Sequence, residues 1–278
     1  MSLKVARLAT EDESQLRELM REVLKSPYLS GERWAVSPPE VIRDVWLKIY
    51  EVTGEADPVK PVKAQQNRKA LQACPVAKEL VSKSPDPLLQ AVKLAAIGNS
   101  MDLMGDAKEE PMREINETLS KFVVDAGAVE ELKERIAKAR RLVYLGDNCG
   151  EIVFDRLFIE LIRETHDPDV TFVTRTIPIL DDATLQDALK VGMDQVAQAM
   201  ENGISEPLPG TILEKASPEV RGLIEESDLV ISKGGGNHDT LTEEESLSGK
   251  VSYLVQAKCH PYCTIYQLPL GALIVHNS

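Results

Sequence analysis

Apolar positions recur at helical spacing through the first half of the chain and gather into short β-type runs in the second. Over residues 13–24, Leu16, Leu19, Met20, Val23 and Leu24 fall on one helical face. A second helix is expected over 38–50, with Ser37 as its cap and Pro38 in its first turn. The same spacing predicts helices over 67–83, 86–97 and 112–126, then a strongly charged one over 129–140. From Arg141 the period changes. Apolar runs at 142–145, 170–173, 229–231, 251–255 and 272–275 read as strands, with helical stretches at 152–162, 182–191 and 218–226 between them. Such alternation means βαβ units, so the expected fold class is α/β with a largely parallel sheet. A helical domain over 1–122 is expected to precede an α/β domain over 123–278.

Composition narrows the function classes. Of 278 residues, 43% are hydrophobic and only 4% aromatic, so aliphatic side chains must build the core. The net charge of -13 repels nucleic acid. A small anionic substrate would need a bound cation, or local Lys and Arg, to overcome that field. No run approaches the roughly 20 apolar residues of a membrane span, and the opening residues 1–15 turn acidic rather than reading as a leader peptide. Four scattered cysteines, Cys74, Cys149, Cys259 and Cys263, do not form a disulfide framework, so a cytoplasmic location is expected.

In open α/β sheets ligands bind beyond the carboxyl ends of the strands. Four such segments carry polar groups: 146–151 with Asp147, Asn148 and Glu151; 181–184 with Asp182; 233–237 with Lys233, Gly234, Gly235, Gly236 and Asn237; and 258–260 with Lys258. A parallel sheet places all four on one edge. Asp147, Asn148 and Asp182 supply hard oxygen ligands suited to Mg²⁺ or Mn²⁺. Segment 233–237 offers a charge and flexible backbone N–H groups to a phosphate. Taken singly, the acidic segments also fit helix caps, and 233–237 fits a plain turn. The glycine segment is neither a Walker loop nor a dinucleotide fingerprint. Together the four describe phosphoryl transfer to water.

The motifs YLGDNCGEIVFD at 144–155, PILDDATLQDA at 178–188, SDLVISKGGGN at 227–237, Lys258-Cys259 and GNSMD at 98–102 resemble, in order, those of the metal-dependent damage-control phosphatases. Asp57-Pro58, Lys63 and Asn67 also match that family's style. The resemblance implies a Rossmann-like α/β/α C-terminal part and a divalent metal on Asp147, Asn148 and Asp182. It puts Lys233 and Asn237 on the phosphate side, with Asn99 and Asp102 reaching over from the helical part. It also implies Mg²⁺, Mn²⁺, Co²⁺ or Ni²⁺, and small substrates such as sugar phosphates. Asp147 and Asp182 are the expected catalytic acids, with Glu151 or Asp182 orienting water. Three departures stand out: Asp181 where Asn is usual, Cys149 where a small residue is usual, and no opening cysteine pair.

Cys259, His260 and Cys263 lack the fourth ligand of a structural zinc site. Beyond the phosphate, Arg68 is a further candidate substrate contact. The competing reading is a binding module for a nucleotide or S-adenosylmethionine, including a methyltransferase, which would need no divalent cation. A scaffold role leaves the convergent loops unexplained.

Overall fold

The computed structural model describes residues 2–97, 115, 117 and 119–278. Helices α1 (Ser2–Ala9), α2 (Glu13–Leu24) and α3 (Pro38–Thr53) come first. Asp12 caps α2 by accepting from the Ser14 N–H at 2.8 Å. At the start of α3 the Glu40 carboxylate accepts from the Ser37 N–H at 3.0 Å and its hydroxyl at 2.9 Å, which closes a capping box. These three helices bury Leu16, Leu19, Trp46 and Ile49 in a small core of their own, which Ile179 joins from the second half of the chain.

Helix α4 (Lys60–Lys83) starts seven residues before the expected 67, because its first turns bury the polar Lys63 and Asn67 and so hide the apolar period. Helices α5 (Pro87–Ile97) and α6 (Ala126–Lys138) follow. Asp125 caps α6 through the Gly127 and Ala128 N–H groups, so this helix begins at 126 rather than 129. Of the helix expected over 112–126, the described residues 115, 117 and 119–121 are helical, and the chain is non-helical over 122–125.

The α/β part runs β1 (Arg141–Leu145), α7 (Glu151–His166), β2 (Asp169–Thr174), α8 (Leu185–Lys190), β3 (Gln198–Glu201), α9 (Pro218–Glu226), β4 (Leu229–Lys233), α10 (Gly234–Leu241), β5 (Val251–Gln256), α11 (His260–Tyr266) and β6 (Leu273–Asn277). The sheet order is β3-β2-β1-β4-β5-β6. All pairs are parallel except β5 with β6. Strands β1, β2, β4 and β5 alternate between two buried faces. Leu142, Tyr144, Phe172 and Ile231 pack with α4, α5, α6 and α7. Val143, Leu145, Val230 and Tyr253 pack with α9, α10 and α11. Helices on both sides of residue 122 thus share one core.

Three elements escape the sequence pattern. Strand β3 is a four-residue edge strand, QAME, with only Ala199 and Met200 half-buried. Helix α10 begins with three glycines, the residue least favourable in a helix interior after proline. The helix expected over 182–191 starts only at Leu185. Thr184 is its cap, boxed with Asp187, and Asp182 is drawn instead into a bridge with Asn148. Among the described residues no helix is long and apolar enough to cross a membrane.

Candidate active site

Strands β1 and β4 lie side by side, and their onward connections leave toward opposite edges of the sheet. That is a topological switch point, where the carboxyl ends open a crevice. Segment 146–150 leaves β1 and pairs at once with 181–183: Cys149 N donates to Asp181 O at 2.8 Å and Ala183 N to Asp147 O at 2.7 Å. This short antiparallel pairing, which includes the Asn148–Asp182 bridge, brings Asp147, Asn148 and Asp182 together. Leu180, just before it, takes a left-handed φ of 47°, a strained setting for a branched side chain. From beneath, α4 supports the segment. Asn67 Oδ1 accepts the Gly150 N–H at 2.6 Å, and Lys63 is ion-paired with Asp57 at 2.7 Å and Asp187 at 3.8 Å.

Arg175, immediately after β2, ties the acids to each other. Its Nε donates to Asp182 Oδ2 at 2.6 Å, and Nη2 lies 3.5 Å from Asp147 Oδ1. Its Nη1 donates to Asn237 Oδ1 at 3.0 Å and Thr211 Oγ1 at 3.3 Å. Burial pushes Asp182 up to about 6, opposed chiefly by Arg175. Burial, then the negative charges of Asp182 and Glu151, push Asp147 well above the usual carboxylate range, against Arg175 and Lys258. Two acids under this mutual strain favour a cation between them.

The donor chemistry suits a hard divalent ion. Two carboxylates and one amide oxygen leave most of a coordination shell to water and phosphate, as Mg²⁺-type ions prefer. Among the described residues no group of three or more His, Cys, Asp or Glu is arranged to hold a metal, and this covers the Cys259-His260-Cys263 segment. The buried Cys149 thiol is driven up by burial and by Asp187, so it stays protonated at neutral pH.

A cavity of about 260 Å³ lies over the acids, lined by Asp147, Asn148, Asp182, Gly235 and Gly236. The first turn of α10 therefore presents backbone to the cavity, where helix N–H groups favour an anion. Lys258 is exposed and sits close enough to Asp147 to favour its ionised form. Lys233 and Asn237 do not reach the opening. Lys233 is fully buried, its ammonium donating to Ala95 O at 2.6 Å, to Asp155 Oδ1 at 2.6 Å and to Glu151. Glu151 is thereby enclosed in an ion pair. Asn237 is also fully buried. Its amide donates to Gly146 O and Lys233 O, while its oxygen accepts from Arg175 and Thr211. Asn99 and Asp102 lie outside the described residues.

Gly234 is required for two reasons. Its φ is +77°, and a Cβ there would stand 1.9 Å from Asp147 Oδ2. Gly234→Ala is expected to cost about 1–3 kcal/mol of stability by overpacking and left-handed strain and to displace Asp147. Urea denaturation with an activity assay checks both, and an unaltered variant would contradict the contact.

A family model for the damage-control phosphatase ARMT1-like domain matches residues 2–274. The chain belongs to this family. A damage-control phosphatase of Archaeoglobus fulgidus is 31% identical over 274 residues, covering 97% of this chain and 92% of that one. One from Pyrococcus horikoshii is 28% identical over 272 residues, covering 98% and 92%. The crystal structure of a DUF89 family protein from Pyrococcus horikoshii matches with a TM-score of 0.87 at 28% identity, covering 99% of this chain and 94% of that one. Membership in the damage-control phosphatase family carries a phosphatase role.

Within this site, sequence reasoning passed over Arg175 and Asp239. Arg175 follows directly on a strand's carboxyl end, which is the signal that singled out the other segments. Asp239 lies two residues past Asn237, on a helix that the triple glycine concealed. The cavity's apolar wall, including Pro38, Ile42, Leu180 and Pro209, comes from segments with no polar signal to find.

Proposed function

We propose that the protein is a divalent-metal-dependent phosphomonoester hydrolase acting on small phosphorylated metabolites such as sugar phosphates. The observation that carries the reading is the meeting of Asp147, Asn148 and Asp182 with the first turn of α10 on one cavity. Asp147, Asn148 and Asp182 hold the cation, of the kind Mg²⁺, Mn²⁺, Co²⁺ or Ni²⁺. When bound, such an ion neutralises phosphate oxygens and lowers the pKa of water. The Gly235 and Gly236 backbone takes the phosphate, and Lys258 adds charge at the rim. Arg175 fixes one oxygen of Asp182, which leaves the other to orient the attacking water. Glu151 and Lys233 act behind the site, as a buried pair that fixes the start of α7 against the end of β4.

Protein stripped with chelator is expected to release no phosphate from p-nitrophenyl phosphate or a sugar-phosphate panel, and to recover release as single metals are added back. Folded protein that releases none with any of the four metals overturns the reading.

A further inference from the structure

The cavity has a third acid, which the hydrolysis itself does not use. Asp239 lies on α10 and lines the cavity together with Asp147 and Asp182. Its Oδ1 accepts from the Tyr262 hydroxyl at 2.6 Å and faces His238 Nδ1 at 3.3 Å. The Tyr262 hydroxyl also lies 3.2 Å from the Gly235 carbonyl, which places Asp239 beside the first turn of its own helix. His238 is buried among Tyr253, Tyr262 and Tyr266, with Nε2 at 2.5 Å from the Tyr266 hydroxyl. Burial and Asp239 raise the Tyr262 phenol, so it remains a donor. A proton on His238 Nδ1 completes a second donor to the same oxygen, while Nε2 accepts from Tyr266.

With the His238 proton on Nδ1, both donors converge on Oδ1. Among the described residues no protein group bonds Oδ2, and the side chain is 24% exposed. A carboxylate oxygen held ready at a cavity wall accepts hydrogen bonds and donates none. It repels a phosphate oxygen, and through Tyr262 it stands beside the first turn of α10, so the group it takes is a neutral hydroxyl close to the phosphate. Around it the wall is aliphatic, from Pro38, Pro39 and Ile42 of α3 and from Leu180 and Pro209. Aliphatic faces beside one fixed acceptor fit a saturated carbon skeleton bearing hydroxyls.

The geometry points to Asp239, oriented by Tyr262 and His238, as the residue that accepts a substrate hydroxyl and selects polyhydroxylated phosphoesters over plain ones. This rests on the hydrolase reading for where the phosphate sits. A site built to bond a hydroxyl disfavours analogues that lack it, because the acceptor is left unpaired.

The test compares ribose 5-phosphate with phenyl phosphate, by calorimetric binding and by phosphate release, in the metal-loaded protein and its Asp239→Asn variant. In Asp239→Asn the amide oxygen stays with Tyr262 and His238, so an NH₂ group replaces the acceptor. The wild-type preference for ribose 5-phosphate is expected to fall about ten- to a hundredfold, the worth of one hydrogen bond to a charged group. Tyr262→Phe, which frees Asp239 to turn, should lower the same preference less. A wild-type protein that binds the two probes equally, or not at all, overturns the assignment, as does an unchanged preference in Asp239→Asn. Binding preference without phosphate release from either probe leaves Asp239 assigned and counts against hydrolysis alone.

Discussion

Replacing Lys233 with methionine is expected to cost about 3–5 kcal/mol of folding stability at pH 8, a large part of what holds a domain folded. The ammonium is fully buried and holds Asp155, Glu151 and the Ala95 carbonyl. Glu151 and Asp155 stand one turn apart on α7, and Asp155 Oδ2 already lacks a partner. Methionine fills the stem's volume but leaves two buried carboxyls without a cation. Burial lifts Asp155 to about 7, against the opposing pull of Lys233 and with a further push from Glu151. A carboxyl with a folded pKa above its unfolded value near 4 is destabilising once it must ionise, so the burden grows as pH rises from about 4 through about 7. Without Lys233 the carboxyl is pushed higher still, so the deficit in Lys233→Met should be small at pH 5 and larger at pH 8. Urea denaturation at both pH values reads it, and a wild-type midpoint at pH 8 would remove this network from the stability of the fold. Adding Glu151→Gln and Asp155→Asn should recover part of the loss, since neutralising a whole buried ionic cluster is often nearly free of cost.

Asp182→Asn is expected to lower turnover about 10²–10³-fold while keeping the fold, on the scale of removing one preorganised electrostatic contact. The amide has the same shape and still offers an oxygen to Arg175, but the charge that would hold a cation is gone. Asp182→Ala should do worse. It leaves the Arg175 guanidinium, 2% exposed, with only the 3.5 Å approach of Asp147 as ionic partner, and a buried charge stripped of its partner costs about 3–5 kcal/mol. The two variants thus separate charge lost from structure lost. Measuring kcat/KM at saturating metal beside the circular dichroism spectrum checks this. Wild-type kcat/KM in Asp182→Asn would exclude Asp182 from the site.

The sheet's main strands and the gathering of Asp147, Asn148 and Asp182 were legible because each follows a short apolar run, and parallel order does the rest. The directions of Lys233 and Asn237 were not. Lys233 is the last residue of β4 and continues the face of Leu229 and Ile231, so strand alternation turns it toward α5 and α7. Asn237 sits one helical turn into α10, a helix that its three opening glycines conceal from propensity. Gly236 packs its Cα against the Pro209 carbonyl, where a Cβ would come within 2.6 Å. Strand β3 stayed hidden because it is four residues long with only Ala199 and Met200 half-buried, and pairing with β2 defines it.

The contact between Gly234 and Asp147 also bears on how such a chain can change through descent. With 1.9 Å between an added Cβ and the carboxylate, the two positions form a single unit of variation. A side chain at 234 strains the left-handed backbone and pushes the carboxylate aside at once, so its cost falls on the fold and on the acid together. Shrinking Asp147 would relieve only the second of these, and the acid would be gone.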